Sequence, residues 1–372
     1  MDFSLTQEQQ DLRELTAKIF EDLAPLEGLP DMEAGQDWFN EKLWANLASA
    51  GLLGIALPES VGGLGLGIAE LAVLLEANGR HGGAAPLYST LVLGALPIAE
   101  FGTAEQASSL LPDVIAGKAL LSAALVDEAS DDPLNPGVHA ESLDGGWKLR
   151  GTKTYVPAAA GAALVLVSGR TADDRIAVFL VEPGARGVSL EPVTTTTGEF
   201  QYWMTLEDVQ VGENAVLGAV GEGREIIEWI MDRALTGLCA MELGCAERAL
   251  QLTARYTSER KQFDKPIATF QAVAQRAADA YIDVEAIRLA TWQAVWRLDA
   301  GLPASREIAI AKFWAAEAGH RACYATQHLH GGIGVDTDYP LHHLYLLSRQ
   351  IELTFGGAHA QLARIGDMVA AD

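Results

Sequence analysis

Two short stretches of this 372-residue chain carry residue types suited to gripping a phosphorylated aromatic group. The first, Glu259-Arg260-Lys261-Gln262-Phe263-Asp264-Lys265-Pro266-Ile267, closes a long apolar-striped segment and is followed by Phe270-Gln271. Arg neutralises a phosphate, a neighbouring Gln donates to it, and Phe covers a ring. The second, His328-Leu329-His330-Gly331-Gly332-Ile333-Gly334, puts glycines after a helix, where backbone N–H groups approach an anion closely. Taken singly, the first also describes a polar helix end with a breaker Pro, and the second an ordinary C-cap. Their order and separation on one helical stretch are more specific than either alone.

Other patterns point away from chemistry. Gly62-Gly63-Leu64-Gly65-Leu66-Gly67 departs from GxGxxG, has no βαβ setting and lacks the acidic residue that follows in a dinucleotide site. It predicts a loop between helices. His320, His328, His330, His342 and His343 give no i, i+4 pair with a third ligand, so no metal is expected. Cys239, Cys245 and Cys323 form no CxxC and predict buried, small apolar side chains. GxSxG is absent, and no cysteine has an electropositive setting for nucleophilic catalysis.

Composition narrows the partners. With 26 basic and 50 acidic residues the formal charge is −24, which disfavours nucleic acid and anionic lipid. Hydrophobic residues make up 49% and charged ones 20%, with mean hydropathy +0.13, which implies extra surface buried between subunits. Met1-Asp2-Phe3-Ser4 has neither the basic nor the apolar region of a signal peptide, and no apolar run reaches the ~20 residues of a membrane span. A cytoplasmic location is expected.

These residues must be positioned by a chain of three zones. Residues 1–118 have helical spacing in Gln7–Asp22, Asp37–Ala50, Ala69–Arg80 and Pro86–Glu100. Residues 119–213 hold short Val- and Leu-rich runs, Ala119–Val126, Leu164–Val167, Ile176–Val181 and Met204–Val209, with no long helix between them. An antiparallel β domain is the expectation. Residues 214–372 return to long apolar stripes: Ile227, Ile230, Ala234, Leu238, Met241, Cys245, Ala249 and Leu252, then Phe270, Val273, Ala277, Tyr281 and Val284, a third from near Pro303, and a last from about Arg349 to Val369. Such stripes predict an up-and-down bundle.

The chain resembles the acyl-CoA dehydrogenase family over nearly its whole length. Trp44, Gly51-Leu52-Leu53-Gly54, Leu57-Pro58-Glu59 and Gly62-Gly63 resemble its N-terminal helical domain. The ER-x-QFG-x-PI-x-x-FQ signature reads here as Glu259 to Gln271, with Asp264 in place of Gly. The Q-x-x-GG-x-G and YP elements read as His328 to Gly334 and Tyr339-Pro340, with His328 in the Gln place. The resemblance implies an N-terminal α bundle, a middle β barrel and a C-terminal four-helix bundle, assembled as a tetramer. It also implies that Arg260, Gln262, Phe263, Phe270, His328, Gly331 and Gly332 hold the pyrophosphate and adenine end of FAD bound by a neighbouring subunit.

The family's reaction removes an α-proton from an acyl-CoA while the β-hydrogen leaves as hydride to FAD. By the same resemblance the base is a Glu at one of two positions, and those positions read here as Gly356 and Ala234. Neither side chain accepts a proton, and Asp232 lies two residues along the helix, turned from the ligand face. The family's Trp-Ile-Thr flavin contact reads as Tyr155-Val156-Pro157, its TEPGAGSD loop as Asp127 to Asp132, and its Arg-Asp pair as Leu346-Leu347. Pro157 offers no N–H and no hydroxyl, and an Asp127 carboxylate would face an electron-rich flavin edge. The pattern resembles the base-lacking subunit of heterotetrameric acyl-CoA dehydrogenases of steroid side-chain breakdown. That implies a homologous Glu-bearing partner subunit, an acyl-CoA substrate and an electron-transferring flavoprotein as acceptor. Two alternatives stand beside it: a self-sufficient homomeric flavoenzyme using Asp232 or Glu242 as base, and a structural or CoA-binding relative without flavin.

Overall fold

The structure, a computed structural model, describes residues 3–28 and 39–371. Asp37 and Trp38 of the expected Asp37–Ala50 helix, and Met1 and Asp2 of the N-terminus, lie outside the described residues. The chain is mainly helical with a central β region, and it divides into two compact units. Of the described residues, one unit holds 39–66 and 86–234, the other 3–28, 67–85 and 235–371.

In the first unit, helices α2 (Glu41–Ser49), α4 (Leu96–Phe101) and α5 (Ala104–Ile115) precede the strands. Asn40 caps α2 by accepting the Leu43 N–H, and Thr103 and Gln106 cap α5 reciprocally. The strands are β1 (Leu120–Ala124), β2 (Val126–Asp127), β3 (His139–Leu143), β4 (Gly146–Pro157), β5 (Ala162–Thr171), β6 (Ile176–Val181), β7 (Val188–Val193), β8 (Gln201–Gly212) and β9 (Val216–Leu217). They form one sheet in the order β7-β8-β4-β3-β5-β6-β9, with β1 on β5 and β2 on β4. β6 is buried at all six positions, as its unbroken apolar run requires, whereas β7 alternates between half-buried and exposed. Val138, Leu149, Val165, Phe179, Met204 and Val209 are among the core side chains between strands.

The expectation of an antiparallel sheet needs correction. β1–β5 and β3–β5 run parallel, so the sheet is mixed. The chain passes through β2, β3 and β4 before it returns to β5 in the β1 direction, and such a parallel pairing needs a longer connection.

The second unit is helical: α1 (Gln7–Leu23), α3 (Ile68–Arg80), the part of α6 (Gly223–Glu259) from Leu235, α7 (Gln271–Asp299), α8 (Ser305–His330), α9 (Leu341–Leu353) and α10 (Ala358–Ala371). Residues 235–246 of α6 are all buried, the mark of a helix surrounded on every side. Its crossing with α3 depends on two glycines. A Cβ on Gly79 would lie 2.0 Å from the Met241 carbonyl oxygen, and one on Gly244 would lie 1.9 Å from that of Glu76. The expected last helix from Arg349 to Val369 is two helices, broken at Thr354–Gly357. Phe355 and Gly356 take left-handed backbone angles there, with φ of 55° and 91°, which no continuous helix tolerates.

Candidate functional site

After Glu259 the chain makes a two-residue hairpin, β10 (Lys261–Gln262) against β11 (Lys265–Pro266), before α7 begins. Its turn residues, Phe263 and Asp264, have φ of 52° and 61°. Two successive left-handed residues make the turn whose twist suits a hairpin, and Asp enters that region more readily than most side chains. Asp264 can therefore stand where the family signature has Gly. The hairpin closes where the Ile267 N–H donates to the Arg260 oxygen at 2.8 Å. Arg260 and Gln262 are exposed, and Phe263 is 86% exposed while meeting Phe270 edge-on at 6.2 Å. Lys265 lies 4.5 Å over the Phe270 ring.

The second sequence element lies at the end of α8. Gly331, with φ 66°, opens a short 3-10 turn, Gly331–Val335. His328, Gly331 and Gly332 are exposed, and a Cβ on either glycine would meet nothing within 4 Å. Gly334, by contrast, is buried, and a Cβ there would lie 2.7 Å from the Gln327 oxygen. His330 turns inward: its Nδ1 lies 2.8 Å from the Thr326 oxygen and its Nε2 3.1 Å from the Tyr339 hydroxyl. The ring stacks on Tyr256 at 4.5 Å, and burial holds its pKa below the usual imidazole range.

Gly356 lies at the α9–α10 break, its carbonyl and that of Phe355 accepting from the Gln361 amide at 3.2 and 3.3 Å. Just before the break, Lys312 is fully buried and donates to the Ile351 and Glu352 oxygens at 2.7 and 3.1 Å. Burial pushes its pKa down to about 8. Ala234 is buried within α6. Beside it, the Arg233 guanidinium lies 3.5 Å over the Trp229 ring, and burial lowers its pKa to about 10.

The two carboxylates weighed as substitute bases are both engaged. Asp232 is half-buried and its charge acts on Arg233. Glu242 is wholly buried on α6, accepts from the Ser348 hydroxyl at 2.8 Å, and has its pKa raised well above the carboxylate range by burial. Gly319 makes room for it: a Cβ there would lie 2.3 Å from its Oε1.

At the other candidate flavin residues the structure overturns one expectation. Asp127 is 5% exposed and faces inward, where Lys153 donates to it at 2.7 Å and to Ser168 at 2.9 Å. Lys153 is wholly buried, directly opposite Asp127 across the β2–β4 ladder. A buried carboxylate takes an ion-pair partner where one is available, and a register argument on β4 was the signal that could have found it. Tyr155, in a bulge of β4, holds φ at 54° with 56% of its surface exposed.

Elsewhere, His320 meets Glu352, and His342 meets the Tyr339 oxygen. Among the described residues no group of three or more His, Cys, Asp or Glu is placed to hold a metal, and no helix is long and apolar enough to cross a membrane. Cys239, Cys245 and Cys323 are buried free thiols.

Comparison with known proteins accords with this arrangement. Residues 6–118 match the acyl-CoA dehydrogenase N-terminal domain and residues 221–370 the acyl-CoA dehydrogenase C-terminal domain. The chain is 38% identical to the acyl-CoA dehydrogenase FadE27 of Mycobacterium tuberculosis, covering 100% of this chain and 99% of that one. Among solved structures, the ChsE4-ChsE5 complex of Mycobacterium tuberculosis superposes with a TM-score of 0.94 at 38% identity, covering 100% of both chains. A variant of the Tcur3481-Tcur3483 steroid acyl-CoA dehydrogenase does so with 0.91 at 44%, covering 98% of each. The chain belongs to the acyl-CoA dehydrogenase family.

Proposed function

We propose that this chain is a base-lacking subunit of a heterotetrameric acyl-CoA dehydrogenase, which completes the FAD site of a Glu-bearing partner. The observation that carries it is the pair of base positions. Gly356 has no side chain and a left-handed backbone, and Ala234 is a buried methyl group. The carboxylates that could replace them are held elsewhere, Glu242 in the bundle interior above all.

The residues present fit one end of FAD. Arg260 and Gln262 would donate to the pyrophosphate, Phe263 and Phe270 would cover the adenine, and His328, Gly331 and Gly332 would leave backbone room for the anion. Open space at both glycines and the exposed Phe263 ring support that fit. At the flavin end, Asp127 is turned inward onto Lys153, and Pro157 has no N–H to donate. FAD, when bound, supplies the hydride acceptor. The partner would supply the α-proton base, and this chain would hold the cofactor and exclude water.

The steroid acyl-CoA dehydrogenase among the similar structures supports a steroid CoA ester as substrate, and the similar electron-transferring flavoprotein structure of Acidaminococcus fermentans supports such a flavoprotein as acceptor. Buried, unpaired cysteines support a reducing cytoplasmic setting. We keep the division at residues 1–118, 119–213 and 214–372 as part of this proposal.

The test is expression of the chain alone and with a Glu-bearing homologue, followed by visible spectra and solution mass. Colourless protein alone, and a yellow, active mixed tetramer, support the proposal. Stoichiometric FAD, bleached by an acyl-CoA without any partner, overturns it.

A further inference from the structure

Two arms of the proposed FAD site are short and exposed, and neither has the means to fix its own direction. The hairpin has only two residues per strand, too little for a ladder that stands unaided. The Gly331–Gly332 turn has no side chains with which to pack. A site whose two grips must meet one ligand needs its parts held to within about 0.5 Å by neighbours that are themselves locked.

A ring cluster behind the arms meets that need. Tyr256 lies on the last turns of α6, and its carbonyl accepts the Arg260 N–H at 2.8 Å, at the foot of the hairpin. His330 is the last residue of α8, directly before Gly331. Its ring stacks on Tyr256 with planes 21° apart, while Tyr339 meets Tyr256 edge-on at 6.4 Å and His330 at 5.2 Å. Because the Thr326 oxygen only accepts, His330 Nδ1 carries the proton, and Nε2 is left to accept from the Tyr339 hydroxyl. Every polar atom of the imidazole is thereby used, and the ring has one orientation. The charged groups acting on Tyr339 are Arg255, Glu259 and Glu27.

We infer that Tyr256, His330 and Tyr339 form a positioning clamp, which fixes the Arg260–Phe263 hairpin against the Gly331–Gly332 turn and so sets FAD affinity. The inference rests on the function proposed above. The clamp touches neither the reacting atoms nor the base, so its loss changes cofactor affinity and leaves turnover with bound FAD intact.

The experiment uses the mixed tetramer, stripped of flavin and titrated with FAD, with turnover measured at saturating FAD. Tyr339→Phe removes one hydroxyl from a half-buried pair, and the Kd for FAD is expected to rise about fivefold. Tyr256→Leu, which removes the stacked ring, is expected to raise it at least as much, while Tyr256→Phe keeps the ring and the wild-type Kd. Turnover at saturating FAD and the solution mass should match wild type in all three. Kd values within about twofold of wild type for both Tyr339→Phe and Tyr256→Leu overturn the clamp, twofold being well below the worth of one hydrogen bond. A fall in saturated turnover together with lost assembly in Tyr339→Phe also overturns it, since the rings then only hold the fold. If Tyr256→Leu does not assemble, the single-hydroxyl variant decides. A wild-type mixed tetramer without flavin refutes the proposed function itself, and the clamp with it.

Discussion

Placing a carboxylate at position 356 should fail, and the structure says why. Gly356 holds φ at 91°, where a residue with a Cβ costs roughly 1–2 kcal/mol. A Cβ there would lie 2.8 Å from that of Ala360, closer than unstrained carbon atoms approach. The segment has little freedom to swing clear. Lys312 pins the Ile351 and Glu352 carbonyls before it, and Gln361 pins those of Phe355 and Gly356. Overpacking of this kind adds about 1–3 kcal/mol, giving roughly 2–4 kcal/mol in all once partial relaxation is allowed. For a folding unit near 190 residues each kcal/mol moves the melting midpoint by about 2–4 °C, so Gly356→Ala should lose at least about 4 °C. Gly356→Glu should lose as much and gain no acyl-CoA oxidation in the chain alone. Adding Ala360→Gly should return part of the stability by opening the contact. The assay is scanning calorimetry of the three variants beside acyl-CoA-dependent dye reduction. Gly356→Ala melting with wild type would refute the strain argument, and turnover by Gly356→Glu alone would refute the claim that only a partner can supply the base.

Three further outcomes can be checked. Lys153→Met leaves the Asp127 carboxylate buried without a cation and should cost about 3–5 kcal/mol, whereas adding Asp127→Leu should recover most of it in thermal melts. Glu242→Gln keeps an acceptor for Ser348 while removing an ionisable group whose folded pKa is raised. A raised acid stabilises below its unfolded pKa, near 4.5, and loses that contribution as pH rises towards the folded value. The variant should therefore gain stability over wild type at pH 8 relative to pH 5, and an equal difference at both would count against a raised pKa. Phe263→Ala, at a residue 86% exposed, should melt within about 0.5 kcal/mol of wild type yet lower the flavin content of the mixed tetramer.

How much of this the sequence disclosed depended on which physical signal each residue carries. The phosphate-gripping stretch was visible because Arg, Gln, Phe and a breaker Pro cluster after an apolar stripe, but its hairpin form was not. Its turn was disguised, since Phe263-Asp264 is not the Asn-Gly or Asp-Gly pair that usually marks left-handed positions. β4 went unseen because Lys148, Arg150, Lys153 and two glycines interrupt its apolar alternation, although Leu149 and Val156 are buried core. The α9–α10 break escaped because Gly356-Gly357 fell inside a helical period, and only the left-handed φ values reveal a stop. Tyr256 and Lys312 each act on residues far away in sequence, and a single sequence records no such pairing.

On the proposed function, Asp127 and Lys153 indicate how a cofactor-facing surface is given up without loss of the fold. An acidic residue on a loop that faces a flavin is a liability if it stays exposed to an electron-rich ring. Turned inward, it becomes an internal ion pair joining β2, β4 and β5 through Ser168. The elements of the proposed trans site all lie in the other unit, residues 235–372, and rest on helix ends and ring packing internal to that unit. On the proposed function, that separation lets a subunit keep one half of a cofactor site while the other half becomes structural interior.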